Sequence, residues 1–308
     1  MMSFCTYIIL FSLFRNGYIK FEFNYMEGVM MDSFKNVLLA SPLYILRGEC
    51  GKNLPEVLAR LASTGFQGVE FLGFFGESAE AVHDRMEELK LTPVGNHVPY
   101  AELIADTVGV IDFHLKAGCR YLTVGGIPEE GLPGGRDFAG TVKQLTRIGK
   151  ACRESGITLL YHNHAFELAR KVQGRYMLEV ILDETPEDCL SLEPDLGWMA
   201  IGGADPAYFL DRYRTRCPVI HLKDFYASNI SGIGDAAGLG ARRGTEENAF
   251  FEFRPVGYGI ANIPQYINKV LACGPEWLVM DHDLAYERDS YEDLRLSLEY
   301  VRRLLSLL

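Results

Sequence analysis

The chain has 308 residues, 48% hydrophobic and 23% charged, with a formal net charge of −11. That is a globular composition with ample apolar material for a full core, and the negative balance opposes a nucleic-acid binder, whose electrostatic footprint would be basic. The length suits two small domains or one α/β barrel.

The chain opens on "MMSFCTYIILFSLF", which is apolar but has no basic n-region and is too short to span a bilayer. Residues 1–35 are therefore read as an N-terminal extension outside the fold. A weak membrane-anchoring or signal segment is the alternative. From residue 36 one unit repeats: a short β-rich run, a loop, a helical stretch with 3.6-residue periodicity, and often a Gly or Pro stop. The strand candidates are "NVLLASPLYI", "GVEFLG", "TPVGNHV", "YLTVGG", "ITLLYHN", "LSLEPDL", "VIHLKDF" and "WLVMDHD". Amphipathic segments such as "LPEVLARLAST", "DFAGTVKQLTRIGKACRES" and the closing "SYEDLRLSLEYVRRLLSLL" lie between and after them. Strands alternating with helices imply a parallel sheet, and eight strands close it into a TIM (β/α)8 barrel. The expected fold is thus a single-domain α/β barrel over 36–308. A doubly wound open sheet would carry a Gly-rich phosphate loop, and "GGIPEEGLPGG" lacks the G-x-G-x-x-G spacing.

The seven cysteines stand singly, with no CxxC pair. They read as reduced thiols, which points to a cytoplasmic protein and away from a thiolate zinc site. No membrane partner is expected, and nothing in the composition opposes a homo-oligomer.

In such a barrel the chemistry sits at the C-terminal ends of the strands. Polar residues gather there: Asn96-His97 on the third, His162-Asn163-His164 on the fifth, and Glu193 and Asp195 on the sixth. His221 and Lys223 end the seventh, and Asp281-His282-Asp283 the eighth. Asp195, His221 and Asp281, with His162 or His164, can meet at one point as two carboxylates and two imidazoles. That donor set suits one divalent ion such as Mn²⁺, Mg²⁺, Co²⁺ or Zn²⁺. Asp283 and Asp205 read more plainly as turn or helix-cap residues, Asp205 because a Pro follows it. His83 and His114 fall on helices and read as surface or interhelix residues.

The segments "YHNHAFEL", "EPDLGWMAIGGADPAYFL", "VIHLKDF", "PVGYGIANIP" and "EWLVMDHD", in that order and spacing, resemble the sugar phosphate isomerase/epimerase family, the xylose-isomerase-like TIM barrels. Within it they are similar to the branch with inosose dehydratase-like and 3-keto-glycoside-acting members. The resemblance implies one divalent ion held from strands five to eight, usually by Glu, Asp, His and Glu. Carried over by position, these fall on His162, Asp195, His221 and Asp281. His162 and Asp281 depart from the family's two glutamates, so its two-glutamate proton shuttle does not carry over.

Such a site suits proton transfer beside the carbonyl of a keto-sugar, keto-inositol or 3-keto-glycoside, with the ion as Lewis acid. Asp281, His164 and His97 are the expected acid–base groups, and Lys223 a donor to a substrate oxygen unless it pairs with Asp224 or another carboxylate. Arg47 and Glu70 are expected to reach sugar hydroxyls, with Trp198, Tyr44 and Phe225 as apolar walls. Isomerase or epimerase activity is the leading expectation, and a dehydratase or lyase on the same substrates is the alternative. A non-catalytic sugar-binding descendant is the third reading. An endonuclease IV-type repair enzyme needs more metal ligands than the strand ends offer. The Gly-rich stretch at about 226–254 reads as a long loop or lid, from which Arg242 and Arg243 can reach a substrate anion.

Overall fold

A computed structural model describes residues 37–229 and 250–308. The expected extension (1–35) and the Arg242–Arg243 pair lie outside the described residues. Eight parallel strands follow in chain order: β1 (Leu38–Pro42), β2 (Gly68–Phe71), β3 (Thr92–His97), β4 (Tyr121–Val124), β5 (Thr158–His162), β6 (Ser191–Glu193), β7 (Val219–Ala227) and β8 (Trp277–Asp281). Each pairs with its sequence neighbour from β1 to β6, and β7 pairs with β8, which returns to β1. A parallel bridge between Asp195 and His221 closes the ring between β6 and β7. The sixth strand is short because Pro194 has no N–H to give the ladder. Its carbonyl still accepts from the His221 N–H at 2.9 Å. The result is a TIM barrel in a single α/β domain, as the alternation of periods predicts.

A principal helix follows every strand: Arg47–Thr64, Ala79–Leu89, Thr107–Ala117, Phe138–Glu154, Met177–Glu184, Pro206–Arg212, Ile263–Ala272 and Ser290–Leu305. Asp205 caps the sixth by accepting from the Ala207 N–H, as its place before Pro206 predicts. Helix Phe138–Glu154 buries Thr141, Leu145, Ile148, Gly149 and Cys152, one stripe of a 3.6-residue repeat. Gly149 lets that stripe touch the chain entering β6: a Cβ there would lie 1.8 Å from the Cys189 carbonyl oxygen. Backbone cannot yield as a side-chain tip does. Gly149→Ala is therefore expected to destabilise the fold by about 1–3 kcal/mol despite alanine's better helix propensity, read as a lower urea midpoint.

The barrel interior explains where the polar residues go. Its lower layer packs Ala40, Val94, Tyr121, Leu160, Val219, Trp277 and Val279 together. Side chains two residues further along a strand face the same way. Thr123 therefore follows Tyr121, His162 follows Leu160, His221 and Lys223 follow Val219, and Asp281 follows Val279. Register aligns these ends, His162 with Glu193 and Lys223 with Asp281. A polar layer thus rests on an apolar plug.

The stretch expected to be one loop after the seventh strand differs. β7 runs on to Ala227, and Phe251–Arg254 returns antiparallel to it, Phe253 opposite Phe225. Stacked and edge-on contacts of Phe225, Phe251 and Phe253 hold this hairpin. The alternation in "FFEFR" is the sequence signal for it, masked by the Gly-rich neighbourhood. Among the described residues, no helix is long and apolar enough to cross a membrane.

Candidate functional site

The upper layer forms the floor of a cavity of about 700 Å³ at the C-terminal mouth of the barrel. Leu43, Tyr44, Tyr100, Ile127, Phe166 and Trp198 contribute apolar walls, and Glu70, His97, His162, His164, His221, Lys223, Asp281 and Asp283 contribute polar groups. This is the composition of a small-molecule site, apolar around a few fixed polar groups.

The imidazoles and carboxylates interleave. His162 Nε2 lies 3.9 Å from Asp195 Oδ2, and His221 Nδ1 lies 2.9 Å from Asp281 Oδ2. One ligand atom from each of His162, Asp195, His221 and Asp281 falls within 4.8 Å of the others, and all four residues are buried. Asp195 is fixed from three directions. Its Oδ1 accepts from the Trp198 N–H, its own N–H donates to Asn163 Oδ1, and its carbonyl accepts from Asn163 Nδ2. Its Oδ2 is buried without a hydrogen-bond partner. The Lys223 ammonium faces this oxygen at 3.4 Å without a hydrogen bond, and two carboxylates with two imidazoles form a suitable donor set for a divalent ion. The residues fit a metal ion.

Glu70 and Glu193 belong to the same floor. Glu70 Oε2 lies 3.0 Å from His221 Nε2 and 3.2 Å from His97 Nε2. Glu193 Oε2 lies 3.2 Å from both His97 Nε2 and His162 Nδ1. Sequence reasoning places Glu193 on the right strand without giving it a role. The signal for that role is its i, i+2 relation to Asp195, which turns both inward.

Lys223, fully buried, sits over the Trp198 ring with Nζ 2.6 Å from Asp283, 2.8 Å from Asp281 and 3.4 Å from Asp195. Three ammonium protons thus face three carboxylates, so Lys223 sets the charge around Asp281 and has no N–H left for a substrate oxygen in this arrangement. Its partner is not Asp224, which instead accepts four backbone N–H groups, from Phe225, Gly257, Gly259 and Ala261. Asp283 is Lys223's counter-ion and not a helix cap. Lys223→Met would leave these carboxylates uncompensated and is expected to cost about 3–5 kcal/mol in urea unfolding of metal-free protein.

The charges follow from this packing. Burial works against the imidazolium of His97, yet Glu70 and Glu193 raise its pKa to about 10. Burial also opposes charge on His221, which Glu70, Glu193 and Asp281 override, holding it well above the usual histidine range. Burial pushes His164 down to about 3, with Lys223 adding to the effect, so that ring is neutral. Burial and then Glu70 push Glu193 up to about 6. Asp281 stays well below the usual carboxylate range, because Lys223 and His221 outweigh its burial.

His164 lines the cavity with a buried Nδ1 that has no hydrogen-bond partner. Glu167 holds its turn, accepting from the His164 N–H and the Tyr161 hydroxyl. Trp198 forms part of the wall, as does Tyr44. Phe225 is buried in the hairpin instead. Arg47 corrects the expectation of a hydroxyl-binding arginine: it is absent from the lining, stacks on Tyr44, and donates to the Tyr44 and Asp283 carbonyls. It starts a helix, and its guanidinium lies against two residues of the lining, Tyr44 and Asp283. His83 is exposed, whereas His114 is buried, one nitrogen at the Val110 carbonyl and the other at Asn96.

Curated relatives include an inosose dehydratase 2 of Bacillus cereus, 29% identical over 92 residues, or 30% of each chain. The inosose dehydratase of Mesomycoplasma hyopneumoniae (strain 7448) is 27% identical over 173 residues, 56% of each. The matched stretches thus span about a third to about half the length of these relatives. A sugar phosphate isomerase/epimerase from Parabacteroides distasonis ATCC 8503 superposes with a TM-score of 0.65 at 19% identity, over 87% of this chain and 96% of that one. The IOLI protein with a binding zinc atom superposes at 0.66 and 12% identity, over 88% and 98%. At these identities the superpositions show the fold. The family model described as "Xylose isomerase-like TIM barrel" matches residues 58–304, and the chain belongs to that family.

Proposed function

We propose that the protein is a divalent-metal-dependent isomerase or epimerase that moves a proton α to the carbonyl of a keto-sugar, keto-inositol or 3-keto-glycoside. The observation that carries this reading is the meeting of His162, Asp195, His221 and Asp281, of which His162, His221 and Asp281 line the cavity and Asp195 is buried beside them. Those four residues would hold the ion. When bound, it supplies Lewis-acid polarisation that acidifies the neighbouring C–H.

The chain's own groups supply the rest. Asp281 is placed to take the proton: it lines the cavity, and its Oδ2 lies 2.8 Å from Lys223 Nζ and 2.9 Å from His221 Nδ1. These two contacts orient the carboxylate, and Oδ1 remains as the second acceptor. His164, held neutral, offers Nδ1 as a further acceptor on the lining, whereas His97, held charged by Glu70 and Glu193, can act as a donor. Glu70 lies among the polar lining groups and can meet a sugar hydroxyl. Trp198 and Phe166 give the ring's apolar face a surface and exclude water.

Similarity to the inosose dehydratases favours a second reading. There, the same abstraction is followed by loss of a β-hydroxyl as water. Product analysis separates the two. Metal-reconstituted protein incubated with keto-inositols and 3-keto-glycosides should give a product of unchanged formula by mass spectrometry under the first reading. A product lighter by one water supports the second. Tight binding of a sugar with no product across the panel would overturn both.

A further inference from the structure

We propose that the substrate is an uncharged keto-glycoside whose aglycone is aromatic, and that the loops after β1 to β4 form the ledge that seats this aglycone. The inference rests on the reading of the barrel floor as a site for a keto-sugar and names what that sugar carries.

The division of the mouth comes from the order of the strands. His162 and His164, His221 and Lys223, and Asp281 and Asp283 reach the cavity from β5, β7 and β8 or the turns that follow them. The facing half of the ring is built by the loops after β1 to β4. Tyr44 stands two residues past β1, Leu72 one past β2, Tyr100 three past β3 and Ile127 three past β4. All four line the cavity. Residues beyond a strand's C-terminal end stand above the barrel layer. Glu70 and His97, on β2 and β3 themselves, belong to the floor below. The floor is polar and deep, and the ledge apolar and higher.

Size and shape agree. A cavity of about 700 Å³ suits a ligand of drug size and exceeds what a lone sugar ring fills. Between floor and ledge the wall is bare backbone at Gly125 and Gly126, in the loop after β4. A Cβ on Gly125 would lie 3.3 Å from His97 Nδ1 and 3.7 Å from His164 Cε1, whereas one on Gly126 would meet nothing within 4 Å. That leaves room for a substituent running from the sugar past His97 to Ile127. Tyr44 and Leu72 are half-buried, so part of each stays open to a ligand. The Tyr44 and Tyr100 rings favour a flat aromatic partner, with which they can stack or meet edge-on.

Charge opposes a phosphorylated sugar. Among the described residues no arginine lines the cavity, and Lys223 is its one lysine. Lys223 Nζ is taken by Asp283 at 2.6 Å and Asp281 at 2.8 Å. His97 lies 3.2 Å from Glu70, and His221 lies 2.9 Å from Asp281. The Arg47 guanidinium, against the lining, donates to the Tyr44 and Asp283 carbonyls. A phosphate needs charged donors free to turn to it. On the ledge it would instead lose water against Leu72 and Ile127 without finding any.

The test measures binding to the full chain, equilibrated with Mn²⁺, by calorimetry. The probes are 3-keto-glucose, its phenyl β-glycoside, fructose and fructose 6-phosphate. The phenyl group is expected to tighten binding by about 10–100-fold through the apolar surface it buries, and the phosphate to give no gain. In Leu72→Asn and Tyr44→Ser, each checked for an unchanged melting profile, the phenyl preference should fall to about threefold or less. Equal affinity for the two keto-glucoses, a preference that survives in both variants, or tighter binding of the phosphate would overturn the proposal. NMR of the same keto-sugars in D₂O separates it from the reading it rests on. If free 3-keto-glucose binds as well as the glycoside and exchanges its α-proton, proton transfer stands and the ledge falls. If the phenyl preference is present and lost in the variants but no sugar exchanges, the ledge stands and proton transfer fails. If no sugar binds, both fall.

Discussion

Asp281→Asn is expected to lower turnover by about 10²–10⁴, the usual range for a lost acid–base group, while the barrel stays folded. The amide is nearly isosteric and keeps one oxygen to accept from Lys223, which lies 2.8 Å from the carboxylate. What it loses is the charge and the capacity to take a proton. Because Asp281 is also placed to ligate, turnover is to be measured at saturating metal with bound ion counted on the same sample. A fall in turnover with the ion retained assigns the loss to proton transfer. Full activity of the variant would remove Asp281 from the chemistry.

His221→Ala is expected to abolish metal retention. Both ring nitrogens of His221 face carboxylates, Nδ1 toward Asp281 and Nε2 toward Glu70 and Glu193. Removing the ring takes a ligand away and also leaves these carboxylates facing one another. The affinity loss should exceed the roughly 10–100-fold that follows loss of a merely supporting partner. His221→Asn keeps a polar group in the space and serves as the folding control. Elemental analysis after gel filtration decides it: stoichiometric metal in His221→Ala would show that the ion is held elsewhere.

The barrel was legible because its strands are short apolar runs ending in polar residues, and because the helices between them keep a clean 3.6-residue stripe. The inward direction of His162, His221, Lys223 and Asp281 followed from a period of two. For Glu193 the same period gives the inward direction, through Asp195 two residues on, but not its pairing with His162, which only strand register sets. The contacts of Arg47 with the Tyr44 and Asp283 carbonyls were not legible, since they join the start of a helix to a loop 236 residues away. The hairpin at Phe251–Arg254 was hidden for a related reason: its partner is the extended end of a parallel strand. Local pattern carries direction within an element; contacts between distant ends carry the rest.

The central claim is metal-dependent proton transfer next to a carbonyl. It is tested most directly by NMR of keto-inositols and 3-keto-glycosides incubated with the protein in D₂O, with Mn²⁺ and after chelation. Deuterium should enter the carbon α to the carbonyl with the metal-loaded protein and stop on chelation. No uptake by the metal-loaded protein into any sugar it binds, or uptake that persists undiminished after the metal is removed, would contradict it.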